Sequence, residues 1–145
     1  MRTSLAAILV VFATSAWAAD VGEVKVARGA AHIERGAERL AVQVGMAVRE
    51  ADKVVTGADG TVGVTFADNS LLSIGPNSAL AIDRFVFNTT TNAGEFDSTL
   101  SKGTLAVVSG KIVKQSPEAM RVHTPTAIMG VRGTEFVVHV DDPKH

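Results

Sequence analysis

Cysteine is missing from all 145 residues, which removes at once a disulfide framework, a thiolate metal site and a thiol nucleophile. Tyrosine is missing too, and aromatics make up only 5% of the chain. Stacking platforms for single-stranded nucleic acid or for sugar rings are therefore hard to assemble. Neither sign of charge dominates. The 15 acidic residues face 14 basic ones, and the basic ones are scattered rather than grouped into an arm, so no nucleic-acid partner is expected. The longest apolar run, residues 5–13, is far short of the roughly 20 residues that span a bilayer. Also absent are a Gly-x-Ser-x-Gly elbow, a His-Glu-x-x-His helix, a phosphate-binding loop and paired carboxylates in an apolar setting. An enzyme is not the expected class, and no cofactor is implied.

The N-terminus has the layout of an address. One cation at Arg2, the apolar run and the small-residue end Ala16-Trp17-Ala18 before polar Asp20 read as a cleavable secretory signal peptide over residues 1–18. Cleavage would take Arg2 away, shifting the net charge from −1 to −2. No cysteine stands at the cleavage point, so no lipid anchor is expected there. The mature chain is expected to carry no membrane span.

From Val21 onward the apolar residues alternate with polar or small ones, the two-residue period of a half-buried strand. Val24 and Val26 begin it. Val62, Val64 and Phe66 continue it, as do Leu80 with Ile82 and the trio Phe136, Val138 and Val140. Between them fall turn formers at close intervals: Gly57 to Gly60, Asp68-Asn69-Ser70, Gly75-Pro76-Asn77-Ser78, Asn92 to Gly94, Gly103, Gly110 and Arg132-Gly133. No convincing helical period is present. Residues 38–50 come nearest, but Gly45 interrupts them and valine favours the pleated surface. The expected fold is all-β, a compact sandwich or a short β-solenoid of many short strands, with a core that is mostly aliphatic. One β-domain is expected over residues 19–140, followed by a polar tail over residues 141–145 that should fray.

Three stretches carry a family resemblance. The first runs from Gly45 through Asp52, Thr56, Gly57 and Gly60, then Phe66, Asp68, Asn69 and Ser70, to Gly75, Pro76, Asn77 and Ser78. The second is Gly103-Thr104-Leu105. The third is Val122-His123-Thr124-Pro125, followed by Val131-Arg132-Gly133-Thr134-Glu135-Phe136. In order and spacing they resemble the periplasmic domain of FecR-type proteins, the family of the ferric-citrate transport regulator. The resemblance implies a bacterial extracytoplasmic module that works with other envelope proteins. It also has departures. Such regulators carry a cytoplasmic segment that holds a sigma factor and a single membrane helix, and here a signal peptide stands in their place, so direct control of a sigma factor is not expected of this chain alone. Asn69 replaces the glycine of the common Asp-Gly-Ser turn, a change the left-handed tolerance of asparagine should absorb.

The signature residues have bland readings beside functional ones. Asp68, Asn69 and Ser70 are read as a turn ahead of an ion site, and Asn77 with Ser78 likewise. Asp52 is a turn cap or the partner of a basic residue. Arg132 and Glu135 leave two readings open. An inward Arg132 would fix the register of the last strand by tying down buried acceptors, whereas an outward one would recognise a carboxylate. Histidines 32, 123, 139 and 145 have no metal-ligand spacing, and no metal site is expected. The leading functional expectation is a non-enzymatic protein-binding or signalling module of the periplasm or cell envelope, secreted or periplasmic, whose partner is another envelope protein. The alternative is a binder of small ligands or polysaccharide.

Overall fold

The computed structural model describes residues 19–141. The signal-peptide reading of residues 1–18 and most of the polar tail lie outside them. Twelve strands and one short helix follow in order: β1 Asp20–Arg28, β2 Ala31–Arg35, β3 Glu38–Ala41, β4 Ala47–Arg49, β5 Lys53–Thr56, β6 Thr61–Phe66, β7 Leu71–Ile74, β8 Ala79–Phe87, β9 Gly94–Val108, α1 Lys111–Gln115, β10 Met120–His123, β11 Ile128–Gly130 and β12 Glu135–Val140. The chain is all-β, as the alternation and the spacing of turns require.

The strands make two sheets joined through one long strand. β9 has 15 residues. Its first half pairs with β8 on one side and, in parallel, with β10 on the other. Its second half pairs with β7 and β12. The change falls at Gly103, whose φ of +92° is a backbone state that side chains with a Cβ rarely adopt. One sheet therefore runs β4-β1-β6-β7-β9-β12 and the other β3-β2-β5-β8-β9-β10-β11. Every pairing but that of β9 with β10 is antiparallel. Stacked rungs of a solenoid would be parallel, so the sandwich-like form, a curled sheet folded over its own core, is the one realised.

Burial follows the period. β6 alternates without a break, with Val62, Val64 and Phe66 inward, and Leu80 and Ile82 of β8 are closed off as well. Aliphatic side chains from both sheets form one cluster. Three phenylalanines clasp it: Phe66 of the first sheet lies 4.6 Å from Phe96 and 5.5 Å from Phe85 of the second, ring centre to ring centre. The Phe96 contact is edge-on and the Phe85 contact tilted, and aromatic pairs of this kind add to the burial of the rings themselves.

Two local expectations fail. Val26 does not share the inward face with Val24, because the register of β1 against β6 shifts between them. Such a bulge puts one extra residue into the strand and turns the next side chain over, so Val24 is buried and Val26 faces out. The short helix α1 was not expected. At five residues it is too brief to show a helical period, and it exists because Ile112 and Val113 plug the core while its first amides are held from outside.

Candidate functional site

Most of the signature residues sit at the corners where the chain crosses from one sheet to the other. The turn between β5 and β6 binds the turn between β1 and β2: the Gly57 N–H donates to the Ala30 carbonyl at 2.9 Å, and the Ala30 N–H donates to Asp59 Oδ1 at 3.2 Å. Gly60 lies so close to that carbonyl that any Cβ would run into it. The Gly75-Pro76-Asn77-Ser78 corner between β7 and β8 locks onto the same turn. Thr56 Oγ1 donates to the Gly75 carbonyl at 2.6 Å and accepts from the Ser78 N–H at 2.9 Å, while the Asn77 N–H donates to the Gly57 carbonyl at 3.0 Å. Ser78 is fully buried and its Oγ accepts from the Thr104 N–H at 2.9 Å. That bond fixes the bend of β9, since a Cβ at Gly103 would collide with the Ser78 hydroxyl.

Asp68, Asn69 and Ser70 form the tight turn between β6 and β7, with Asn69 at φ +68°. Asp68 and Ser70 are fully buried. The Asp68 carboxylate accepts from the Ser70 N–H at 3.0 Å, from the Ser70 hydroxyl at 2.7 Å and from the Ile112 N–H at 3.4 Å. Ser70 Oγ in turn accepts from the Gly110 N–H at 3.0 Å, and the Asp68 carbonyl takes the Lys111 N–H at 2.8 Å. These oxygens satisfy amides at the start of α1 that have no partner within the helix, which makes the turn a clasp on the helix.

Asp52 partners a basic residue that the sequence did not single out. Its carboxylate is 1% exposed and forks with Arg35, Nε to Oδ1 at 2.9 Å and Nη2 to Oδ2 at 2.7 Å. The Arg49 N–H donates to Oδ2 at 2.9 Å, and Arg35 Nη2 also donates to the Ala47 carbonyl at 3.1 Å. The hydrogen bond to Asp52 raises the Arg35 pKa above its ordinary value, against the opposing pull of burial. The pair ties β2 to the loop between β4 and β5. Seventeen residues separate the two partners, and no local pattern announces such a pair.

The closing segment is different in kind, because much of it faces solvent. Thr124 Oγ1 accepts from the Ala127 N–H at 3.1 Å and the Thr124 N–H donates to the Ala127 carbonyl at 2.8 Å, which turns β10 into β11 with Pro125 exposed at the tip. Gly133 takes φ +96°. The Ser109 hydroxyl donates to the Gly133 carbonyl at 2.7 Å and the Ser109 N–H to the Thr134 carbonyl at 2.8 Å. Arg132 is not inward. Its side chain is 78% exposed and makes a surface ion pair with Glu118 at 3.3 Å, so the register of β12 is set by the Ser109 bonds and by Phe136 and Val138 packing inward. Glu135 stands exposed at the start of β12 opposite Val108, and Phe136 is half-buried.

His145 lies outside the described residues, and His32, His123 and His139 do not converge on a carboxylate cluster. His123 lies on β10 opposite Thr99, and His139 on β12 opposite Thr104. Among the described residues no group of three or more histidines and carboxylates is placed to hold a metal ion, and no helix is long and apolar enough to cross a membrane.

Buried hydroxyls and carboxylates thus bind backbone at the corners, and the last segment adds exposed turns and a terminal strand to each sheet. This is a β-module in which many of the signature side chains bind backbone. A family model described as FecR protein matches residues 52–145, well over half of the chain, and the chain belongs to the FecR family. FecR domains are periplasmic in that family, whose members are regulatory and signalling proteins of the envelope that act with other proteins. Searches of curated proteins and of solved structures return no match.

Proposed function

We propose that this protein is a non-enzymatic, exported module that regulates by binding another envelope protein, and that the closing segment provides the surface. One observation carries the reading. The same segment, from Met120 to Val140, supplies the terminal strand of both sheets, β11 of one and β12 of the other. Among the described residues neither has a second strand beside it, and each bears a large exposed apolar side chain, Ile128 at 67% and Val137 at 68%. A strand edge offers ready amides and carbonyls to an incoming chain, and alternate side chains give it specificity. The β10–β11 hairpin exposes Pro125 at its tip and Ile128 at the start of β11, and the exposed Arg132–Glu118 pair joins the segments at its base, so the surface has the mixed apolar and charged character of a partner contact.

The test is mild crosslinking in envelopes followed by affinity purification, run in parallel on the wild type and on Ile128→Lys. A discrete partner recovered with the first and lost with the second supports the proposal. Equal recovery with both, or none with either, counts against it. A thermal-shift screen against citrate, siderophores and cell-wall fragments separates this from ligand binding, because a ligand held only by the folded state must raise the melting temperature.

A further inference from the structure

We infer that the free edge of β12 is a self-association site, at which two copies pair antiparallel about Val137, leaving the β10–β11 hairpin to the foreign partner. The inference goes beyond the binding role proposed above and does not depend on it.

The phase of the backbone is fixed by two bonds. The Ser109 N–H donates to the Thr134 carbonyl, and the Gly75 N–H donates to the Thr104 carbonyl. Along β9, residues 105, 107 and 109 therefore turn their amides to β12, and 104, 106 and 108 turn theirs to β7. By the alternation of an antiparallel ladder, Phe136, Val138 and Val140 bond inward. Glu135, Val137 and His139 then carry the outward N–H and C=O groups, and these are the residues whose side chains are exposed.

Sheet edges are ordinarily blunted by lysine, proline or shortness. The edges at the far ends of the two sheets show this: β3 carries Glu38 and Arg39, and β4 is three residues long with Arg49. β12 has six residues with no lysine, arginine or proline, and its one charged side chain is Glu135 at its first position. Its outer face continues an exposed row of small and apolar side chains, Ser73 opposite Ala106 opposite Val137, with Leu71 opposite Val108 beside it.

The charge pattern along the strand selects the occupant. In a two-fold antiparallel pairing centred on Val137, the two valines face one another, and every outward residue meets an outward residue, so the ladder closes. Glu135 then faces His139 of the other copy, whose ring in its own chain meets Thr104 Oγ1 at 2.9 Å and Asp141 Oδ1 at 3.1 Å. A carboxylate thus meets an imidazole at two positions related by symmetry. Moving the centre to Phe136 sets Glu135 against Val137 and moving it to Val138 sets Glu135 against Asp141, so either shift loses the match.

Sedimentation equilibrium of the protein purified from the periplasm tests this. The expected result is a reversible shift to twice the monomer mass with rising concentration, abolished by Val137→Lys. His139→Glu should weaken the dimer roughly tenfold, because like charges face each other at two symmetric positions. Adding Glu135→Lys to His139→Glu should restore it, and only the stated register gives that rescue. Circular dichroism confirms that each variant is folded. A wild type that stays monomeric at every concentration, a Val137→Lys variant that dimerises unchanged, or a double variant without rescue overturns the inference. Retention of an envelope partner by Val137→Lys shows that the binding role stands independently; capture of that partner by β12, with the chain monomeric alone, assigns the edge to the partner instead.

Discussion

Removing the Arg35 guanidinium should cost this protein more than any other single surface-reaching change. Arg35→Met keeps the length of the stem but leaves the Asp52 carboxylate, 1% exposed, with the Arg49 N–H as its remaining donor. Stranding one partner of a buried ion pair costs about 3–5 kcal/mol. The guanidinium is itself a quarter exposed, so solvent already screens part of the attraction, and about 3 kcal/mol is the better figure. For a domain of this size that is a fall of roughly 10–15 °C in melting temperature. Urea unfolding followed by circular dichroism measures it. Asp52→Asn should cost less, about 1–2 kcal/mol, because an amide oxygen can still accept from Arg49 and Arg35. The pH dependence has a definite sign. The Arg35 pKa is raised in the folded state, so its contribution is fully present below the ordinary arginine value and is lost only as pH climbs through the raised one, in strongly alkaline solution. The arginine's own titration therefore adds no slope near neutrality. An Arg35→Met protein within about 1 kcal/mol of wild type would refute the claim that this pair anchors β2.

Three further outcomes follow from the corners and the closing segment. Gly103→Ala should cost more than about 3 kcal/mol, or prevent folding, since it combines a positive φ with a collision at Ser78; soluble yield and urea midpoint report it. Ser70→Ala should destabilise by about 2 kcal/mol, because it leaves the Gly110 N–H without its acceptor, and amide exchange at residues 110–112 should speed up more than in β6. Arg132→Ala should unfold at the wild-type urea midpoint, as exposed ion pairs contribute little; a clear loss of stability would reinstate a structural role for that arginine.

What the sequence revealed was local. The alternation through Val62, Val64 and Phe66 needs only neighbouring residues, and so does the positive φ at Asn69 and Asn77, which asparagine tolerates without help from the rest of the fold. Val26 was misplaced because a bulge is a property of the pairing with β6 and not of β1 alone. The same limit applies to Ala51, whose φ of +73° is imposed by neighbours: its N–H donates to the Ile82 carbonyl at 2.7 Å, and the Ile82 N–H donates to the Asp52 carbonyl at 2.8 Å. Asp52 could be read as a pairing residue, but its partner could not be chosen from the sequence. The signature around Arg132 and Glu135 pointed to the right segment. It could not say which way the arginine faced, because that depends on where Ser109 holds the Gly133 and Thr134 carbonyls.

Because a single strand threads through both layers, neither layer has a seam along which it could come loose by itself. Peeling β12 away strips hydrogen bonds from the far half of β9, whose near half holds β8 and β10 in register. The slowest-exchanging amides should therefore cluster along β9 on either side of residue 103, and the two layers should melt as one cooperative unit. A tug at the rim of one layer is conducted, through a rod with one fixed elbow, to the opposite rim of the other.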